Sequence, residues 1–283
     1  MNELLDQVAD WRGQPRSVSP LAGGLTNRNY RVDIKDQSYV LRVAGDETEL
    51  LGIDRHTEAA CSRAAAQAGV GPEVVAFLPG HRALVRRFVH GRVLTAEDVR
   101  RPETLRRVVE SIARYHRSPA GPGSFSALGT VRQYQSLARQ RGVNLPAEFA
   151  PAVDILEVLL REQPIEPLCP CHNDLLAANL VDDGTTVQII DWEYAGMGDR
   201  YFDLGNLAVN NDFDDTQEKA LLEAYFGEVQ PHQQRRLRTM RLASDLREAS
   251  WGFLQTAISR LKEDFMGYGR RHLDRFMRRA TNS

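Results

Sequence analysis

Cys171-His172-Asn173-Asp174-Leu175-Leu176-Ala177-Ala178-Asn179, followed by the apolar run Val187 to Ile190 that ends in Asp191, is the stretch that decides how this chain reads. It supplies a carboxylate, an amide five residues on and a second carboxylate at a strand end, the spacing of a phosphoryl-transfer site. Moving a γ-phosphoryl group needs charge neutralisation, in-line positioning and a place for the hydroxyl proton. Asp174 is expected to take that proton. Asn179 and Asp191 are expected to hold magnesium, which favours one or two carboxylates together with phosphate oxygens and water.

Two plainer readings compete. His, Asp and Asn are common turn residues, and a lone His-x-Asp can be no more than an Asx turn. Here, however, the His, both Asp and the Asn stand in register, with a strand leading into Asp191. Cys169-Pro170-Cys171-His172 invites a thiol nucleophile or a zinc site, yet the only other cysteine is Cys61 and the remaining histidines are scattered. Small buried cysteines leading into the loop are the expectation.

At 283 residues the chain suits two structural units around one cleft better than a single core. Hydrophobic residues make up 42% and charged residues 26%, an ordinary balance for a soluble globular protein. No apolar run approaches the length needed to span a bilayer, and Met1 to Trp11 reads as an acidic amphipathic helix rather than a signal peptide. Three cysteines fit a reducing compartment, so a cytoplasmic protein without membrane insertion is expected. A net charge of −2 gives no footprint for nucleic acid. Oligomeric state leaves no mark.

Alternation and turn residues predict strands over Ser17 to Leu21, Asn29 to Ile34, Ser38 to Val43, Val74 to Leu78 and Arg82 to Val89. A helix is predicted over Asp54 to Ala68. Beyond Gly91 the spacing turns helical, over Thr95 to His116, Ala147 to Arg161 and Leu221 to Phe226. The expected architecture is α+β and two-lobed, with a small antiparallel-sheet N-lobe over residues 1–89 that binds nucleotide. A larger, mainly helical C-lobe over 90–283 would carry catalysis and the acceptor. A substrate held by both would lie in the cleft between them.

Leu21-Ala22-Gly23-Gly24-Leu25-Thr26-Asn27 is a glycine turn between two strands. Gly23 and Gly24 can bring backbone N–H groups close to phosphates, with Thr26 and Asn27 as side-chain donors. A kinase also needs a cation on the third strand paired with an acid on the next helix. Lysine occurs only at Lys35, Lys219 and Lys262, so the candidate for that cation is Arg42, with Glu58 as its partner; the plainer alternative is a surface arginine and a glutamate that merely suits the helix start. At the lobe boundary the main chain of Arg87 and Val89 is expected to face an adenine ring.

With these residues in hand the chain resembles the choline/ethanolamine kinase family, within the aminoglycoside-phosphotransferase and kinase-like group. Three blocks carry the likeness: His172-Asn173-Asp174 to Asn179; Ile190-Asp191-Trp192-Glu193-Tyr194 through Arg200-Tyr201-Phe202-Asp203-Leu204-Gly205-Asn206; and Trp251-Gly252-Phe253-Leu254-Gln255 to Asp264-Phe265-Met266-Gly267-Tyr268. The resemblance implies a protein-kinase-like fold and ATP- and magnesium-dependent phosphorylation of a small amino alcohol, choline or ethanolamine. It implies Asp174 as base, Asn179 and Asp191 on magnesium, and Asp203 bracing the catalytic loop that His172 opens. Glu193, Trp251 and Tyr268 would surround the substrate's ammonium group. Aromatic faces with nearby carboxylates suit a quaternary ammonium, which has no N–H to donate.

The chain departs from that family at one point. Such kinases commonly carry another aromatic residue one turn before this tryptophan, where Glu248 stands. A carboxylate there suits a protonated amine such as ethanolamine, or another cationic alcohol. The alternatives are a kinase of an aminoglycoside, thiamine or a sugar, or a silent nucleotide-binding module that regulates a partner. Against silence, Asp174, Asn179 and Asp191 are all present.

Overall fold

The computed structural model describes residues 1–21 and 27–281. Gly23, Gly24 and Thr26, expected to cover phosphates, lie outside the described residues. The fold is α+β. After α1 (Asn2–Leu5), strands β1 (Ser17–Leu21), β2 (Asn27–Ile34) and β3 (Gln37–Ala44) run antiparallel. Helix α2 (Arg55–Gln67) then precedes β4 (Val74–Leu78) and β5 (Ala83–Arg87), completing a five-stranded sheet of order β1-β2-β3-β5-β4. The acidic amphipathic helix expected over Met1 to Trp11 stops at Leu5, and Asp10 and Gly13 both take positive φ where a helix would have to continue. Leu5, Val8 and Trp11 nevertheless stay buried, packed against Val32, Leu41 and Val85 of the sheet.

Alternation along β3 splits its side chains between two environments. Leu41 packs in that apolar cluster, while Arg42, its neighbour in sequence, is buried among acids. Helix α2 begins where Asp54 caps it, Oδ1 accepting from Thr57 N–H at 2.6 Å, and this first turn carries Arg55 and Glu58.

Short β6 (Arg92–Val93) leads into α3 (Ala96–Arg100), α4 (Pro102–His116), α5 (Ala127–Gln140) and α6 (Phe149–Arg161). The single helix expected over Thr95 to His116 is two, because Pro102 has no N–H to give and forces Arg101 into an extended conformation. Next come β7 (Cys169–Cys171), β8 (Leu180–Asp182), β9 (Val187–Ile189) and β10 (Gly196–Gly198), then α7 (Arg200–Asn210), α8 (Asp215–Phe226), α9 (Pro231–Ile258) and α10 (Phe265–Ala280). Strands β7 and β10 pair with each other, and β6, β8 and β9 form a small separate sheet. The three cysteines are buried and free, as their spacing suggested.

Helix α9 is the axis of the helical part, flanked by α5, α6, α7 and α10. Its contact with α10 is unusually close. A Cβ on Gly252 would stand 2.8 Å from the backbone nitrogen of Gly269, and one on Gly269 would stand 2.9 Å from the carbonyl of Ala249. That approach sets Trp251 and Tyr268, each one residue ahead of its glycine, against each other at 5.6 Å between ring centres. No helix among the described residues is long and apolar enough to cross a membrane.

Candidate active site

The loop from His172 to Asn179 is held from below through its own backbone. Asp203, in the first turn of α7, accepts from His172 N–H at 2.8 Å and from Asn173 N–H at 2.6 Å. Asn206, three residues on and so on the same face, accepts from Leu175 N–H at 2.5 Å. The N–H of Asp174 turns back onto Nδ1 of His172 at 3.2 Å, and Nε2 of that ring bonds the Ile190 carbonyl at 3.0 Å. Four consecutive N–H groups are thus committed, which fixes the direction in which Asp174 leaves the loop. His116 bonds Asp203 at 2.9 Å from behind. Burial works to raise Asp203, but the hydrogen bond and charge of His116 outweigh it and hold the carboxyl below its ordinary range.

Asn179 and Asp191 meet across the β8–β9 pair, where Ile190 N–H bonds the Asn179 carbonyl at 2.9 Å. The Asn179 amide nitrogen is spent on the Asp174 carbonyl at 2.9 Å, so the amide oxygen is the atom that could ligate a metal. Asp191 occupies the left-handed region at φ 70°, an uncommon conformation for a non-glycine residue. An amide oxygen beside a carboxylate is a fitting pair of protein ligands for magnesium.

Arg42 ties the sheet to this loop. Its Nη1 lies 2.8 Å from Glu58 and 2.6 Å from Asp191, and its Nη2 lies 2.6 Å from Glu193. Burial alone would lower this guanidinium, but Asp191, Glu193 and Glu58 more than reverse that and hold it charged. Arg55 adds a second cation, 2.6 Å from Glu58 and 3.2 Å from Glu193, and donates to Asn27 Oδ1 at 3.0 Å. Asn27 in turn donates to Glu193 at 3.0 Å. The Arg42–Glu58 pair expected from sequence is present. Glu193, expected around an ammonium group, and Asn27, expected at phosphates, both belong to this ion network.

The N–H of Arg87 bonds the Glu73 carbonyl at 2.8 Å inside the sheet, so it is not available to a base. Val89, two residues beyond the end of β5, is half-buried.

Asp174, Asn179, Asp191 and Glu193 share one cavity of about 460 Å³ with Trp251 and Tyr268. Trp251 meets Tyr268 and Phe265 edge-on. Glu248 faces the same cavity and is buried. One of its oxygens accepts from Tyr268 OH at 2.7 Å and the other from Arg247 Nη1 at 2.6 Å. Arg247 is itself buried, 4.4 Å over the Tyr194 ring, with Nη1 3.5 Å from Asp174. Among the described residues its Nε and Nη2 have no hydrogen-bond partner. Burial pushes Asp174 up to about 8; Arg247 opposes this, and Glu248, Asp191 and Glu193 reinforce it.

Sequence reasoning passed over Arg247, Arg55, Asn206 and His116. For Arg247 a signal existed: it stands four residues before Trp251 and so shares its helix face. For His116 there was none, because its partner lies 87 residues away.

The model of the phosphotransferase enzyme family matches residues 17–238, most of the chain. A crystal structure of a choline/ethanolamine kinase family protein from Mesorhizobium loti is similar at a TM-score of 0.84 and 31% identity, covering 98% of this chain and 92% of that one. Ethanolamine kinase 2 of Mus musculus is 28% identical over 91% of this chain and 74% of its own length. Protein LicA of Haemophilus influenzae is 28% identical over 72% of this chain, and the match spans 61% of LicA. The chain belongs to the phosphotransferase enzyme family and, within it, to the choline/ethanolamine kinase family: it is a kinase whose acceptor is an alcohol.

Proposed function

We propose that this protein is a cytoplasmic, ATP- and magnesium-dependent kinase that phosphorylates the hydroxyl of a small amino alcohol, choline or ethanolamine. One observation carries the reading: a single cavity is lined both by Asp174, Asn179 and Asp191 and by the aromatic pair Trp251 and Tyr268. That lining suits an acceptor that carries a cation close to its hydroxyl.

In this reading residues 1–89 form the nucleotide lobe and residues 90–283 the catalytic lobe. Asn179 and Asp191 hold magnesium, which when bound neutralises charge on the β- and γ-phosphate oxygens. Arg42, braced by Glu58 and Glu193, supplies a fixed cation facing the phosphates. Asp174 accepts the proton of the acceptor hydroxyl as the oxygen attacks phosphorus. Asp203 and Asn206 keep the loop from moving during that step. Trp251 and Tyr268 offer ring faces to the ammonium group, and Glu248 adds a carboxylate that Arg247 already neutralises in part.

A second reading draws on Arg247. A buried guanidinium beside the base, with donors unmatched among the described residues, suits an acceptor carrying further oxygens, such as a sugar or an aminoglycoside. A magnesium-ATP assay across choline, ethanolamine, thiamine, aminoglycosides and small sugars separates the two. ADP release with choline or ethanolamine, lost by about 10²–10⁴-fold in Asp174→Asn with nucleotide still bound, is the expected result. Turnover confined to an uncharged polyhydroxy acceptor selects the second reading. An undiminished Asp174→Asn enzyme removes the mechanism.

A further inference from the structure

Below the catalytic loop, Cys169 and Cys171 stand two apart on β7, and their sulfurs are 3.7 Å apart in the core. Residues i and i+2 share one face of a strand, so the strand itself brings the pair together. Neither thiol touches the cavity. His116 comes close enough to make three potential metal ligands within 4.8 Å. Its Nε2, however, is bonded to Asp203 at 2.9 Å and its Nδ1 to Tyr225 at 2.7 Å. Two thiols remain, and structural zinc takes four ligands. Disulfide chemistry needs only two.

We propose that Cys169 and Cys171 are a site of reversible oxidation by peroxide, and that the disulfide they form disables the catalytic loop that begins at the next residue. The inference that activity is lost rests on the reading of Asp174 as the base.

The chemistry balances with hydrogen peroxide as oxidant. The Cys169 thiolate attacks one peroxide oxygen, the O–O bond breaks, and a sulfenic acid forms as the departing hydroxide takes up a proton to leave as water. Cys171 sulfur then attacks the sulfenic sulfur, the S–O bond breaks, and a second water carries away the Cys171 proton. Two thiols lose two electrons and one peroxide becomes two waters. The thiols are suited to these roles. The hydrogen bond from Cys171, then the charge of nearby His116, hold the Cys169 thiol down to about 7 against its burial. Burial pushes Cys171 up, so it stays a donor to its neighbour.

Geometry supplies the consequence. Two residues of strand span roughly 6.6 Å, close to the roughly 6.8 Å upper limit for bridged Cα atoms. The sulfurs must close from 3.7 Å to about 2.0 Å. A bridge under such tension is easily reduced, as suits a transient modification. The pull passes directly to His172, whose N–H is on Asp203, whose Nε2 is on Ile190 and whose Nδ1 holds the N–H of Asp174. A displacement near 1 Å at a reacting group costs on the order of 10²-fold in rate.

The test treats the purified protein with hydrogen peroxide, maps the products by mass spectrometry with thiol alkylation, and follows melting and turnover with and without dithiothreitol. A Cys169–Cys171 disulfide, lighter by two hydrogens, is expected, with kcat down on the order of 10²-fold and KM little changed; dithiothreitol restores the two thiols and kcat. Cys169→Ser keeps basal activity and resists peroxide; Cys169→Ala serves if that variant folds poorly. Cys61→Ser remains as sensitive as the wild type. Oxidation of Cys169 to a sulfinic acid with no bridge, equal sensitivity in both Cys169 variants, or a bridge that leaves kcat intact overturns the proposal. The mass and melting measurements need no acceptor, so absence of a bridge is distinct from failure of the kinase reading.

Discussion

Arg247 donates to Glu248 at 2.6 Å, and the two are consecutive residues buried in the middle of α9. Neither charge tolerates solitude at that depth. Removing one partner of a buried pair typically costs about 3–5 kcal/mol, while replacing both with apolar groups of similar volume is often close to neutral. Arg247→Met is therefore expected to lower unfolding free energy by about 3 kcal/mol. Arg247→Met combined with Glu248→Gln should recover most of that loss. Urea denaturation of the four proteins in the cycle measures the coupling, and additive losses would show that the pair does not act as a unit.

Asp174 gives the site a pH dependence of definite sign. Its ordinary value is near 3.9, and burial foremost lifts it to about 8 in the ligand-free fold. The folded state thus binds this proton more tightly than the unfolded chain. The resulting stabilisation is complete below pH about 4 and is lost as pH rises through about 8, with a slope of at most about 1.4 kcal/mol per pH unit. Melting curves from pH 5 to 8 should accordingly fall more steeply for the wild type than for Asp174→Asn. In turnover the neutral acid cannot accept a proton, so kcat/KM should climb with pH toward a plateau above about 8. A flat profile in both measurements would contradict the assignment.

What the sequence disclosed was local. His172, Asp174 and Asn179 stand within one loop, and Asp191 follows at the end of β9, so spacing alone conveyed their grouping. The sheet was equally open to reading, because alternation and polar turns mark antiparallel strands with short connections. Arg247 was hidden for a physical reason. Arginine is ordinarily a surface residue, and only the packing of α9 among four other helices shows that this one is enclosed. The ion partners of Glu193 were hidden for a related one: the cations beside it come from β3 and α2, more than 130 residues earlier, while the carboxylate also lines the cavity with Trp251 and Tyr268.

Arg42 is expected to bear on both stability and nucleotide affinity. Its two terminal nitrogens serve three carboxylates, Glu58 from α2 and Asp191 and Glu193 from the segment after β9. Lysine keeps the charge but offers a single nitrogen, without the fork. Arg42→Lys is expected to fold with a loss of about 1–3 kcal/mol and to bind nucleotide more weakly. Arg42→Met leaves the acids facing one another and should lose about 3–5 kcal/mol. Denaturation and nucleotide titration on the same samples test this. A lysine variant indistinguishable from the wild type in both would mean that the fork has no role.

Gly252 tests the acceptor end without touching a polar group. A methyl there would stand 2.8 Å from the Gly269 backbone nitrogen and 2.9 Å from the Tyr268 ring, and backbone cannot yield as a flexible side chain can. Helices α9 and α10 must then separate, at a cost of about 1–3 kcal/mol. The separation moves Tyr268 off Trp251 and draws its hydroxyl away from Glu248, while Asn179, Asp191 and Arg42, on other elements, keep their places. Gly252→Ala is therefore expected to raise KM for the acceptor by about tenfold or more with nucleotide affinity unchanged, since one cation–π contact at a desolvated site is worth about 2 kcal/mol. Nucleotide affinity falling in step with acceptor affinity would locate the α9–α10 contact in the general stability of the fold rather than in recognition.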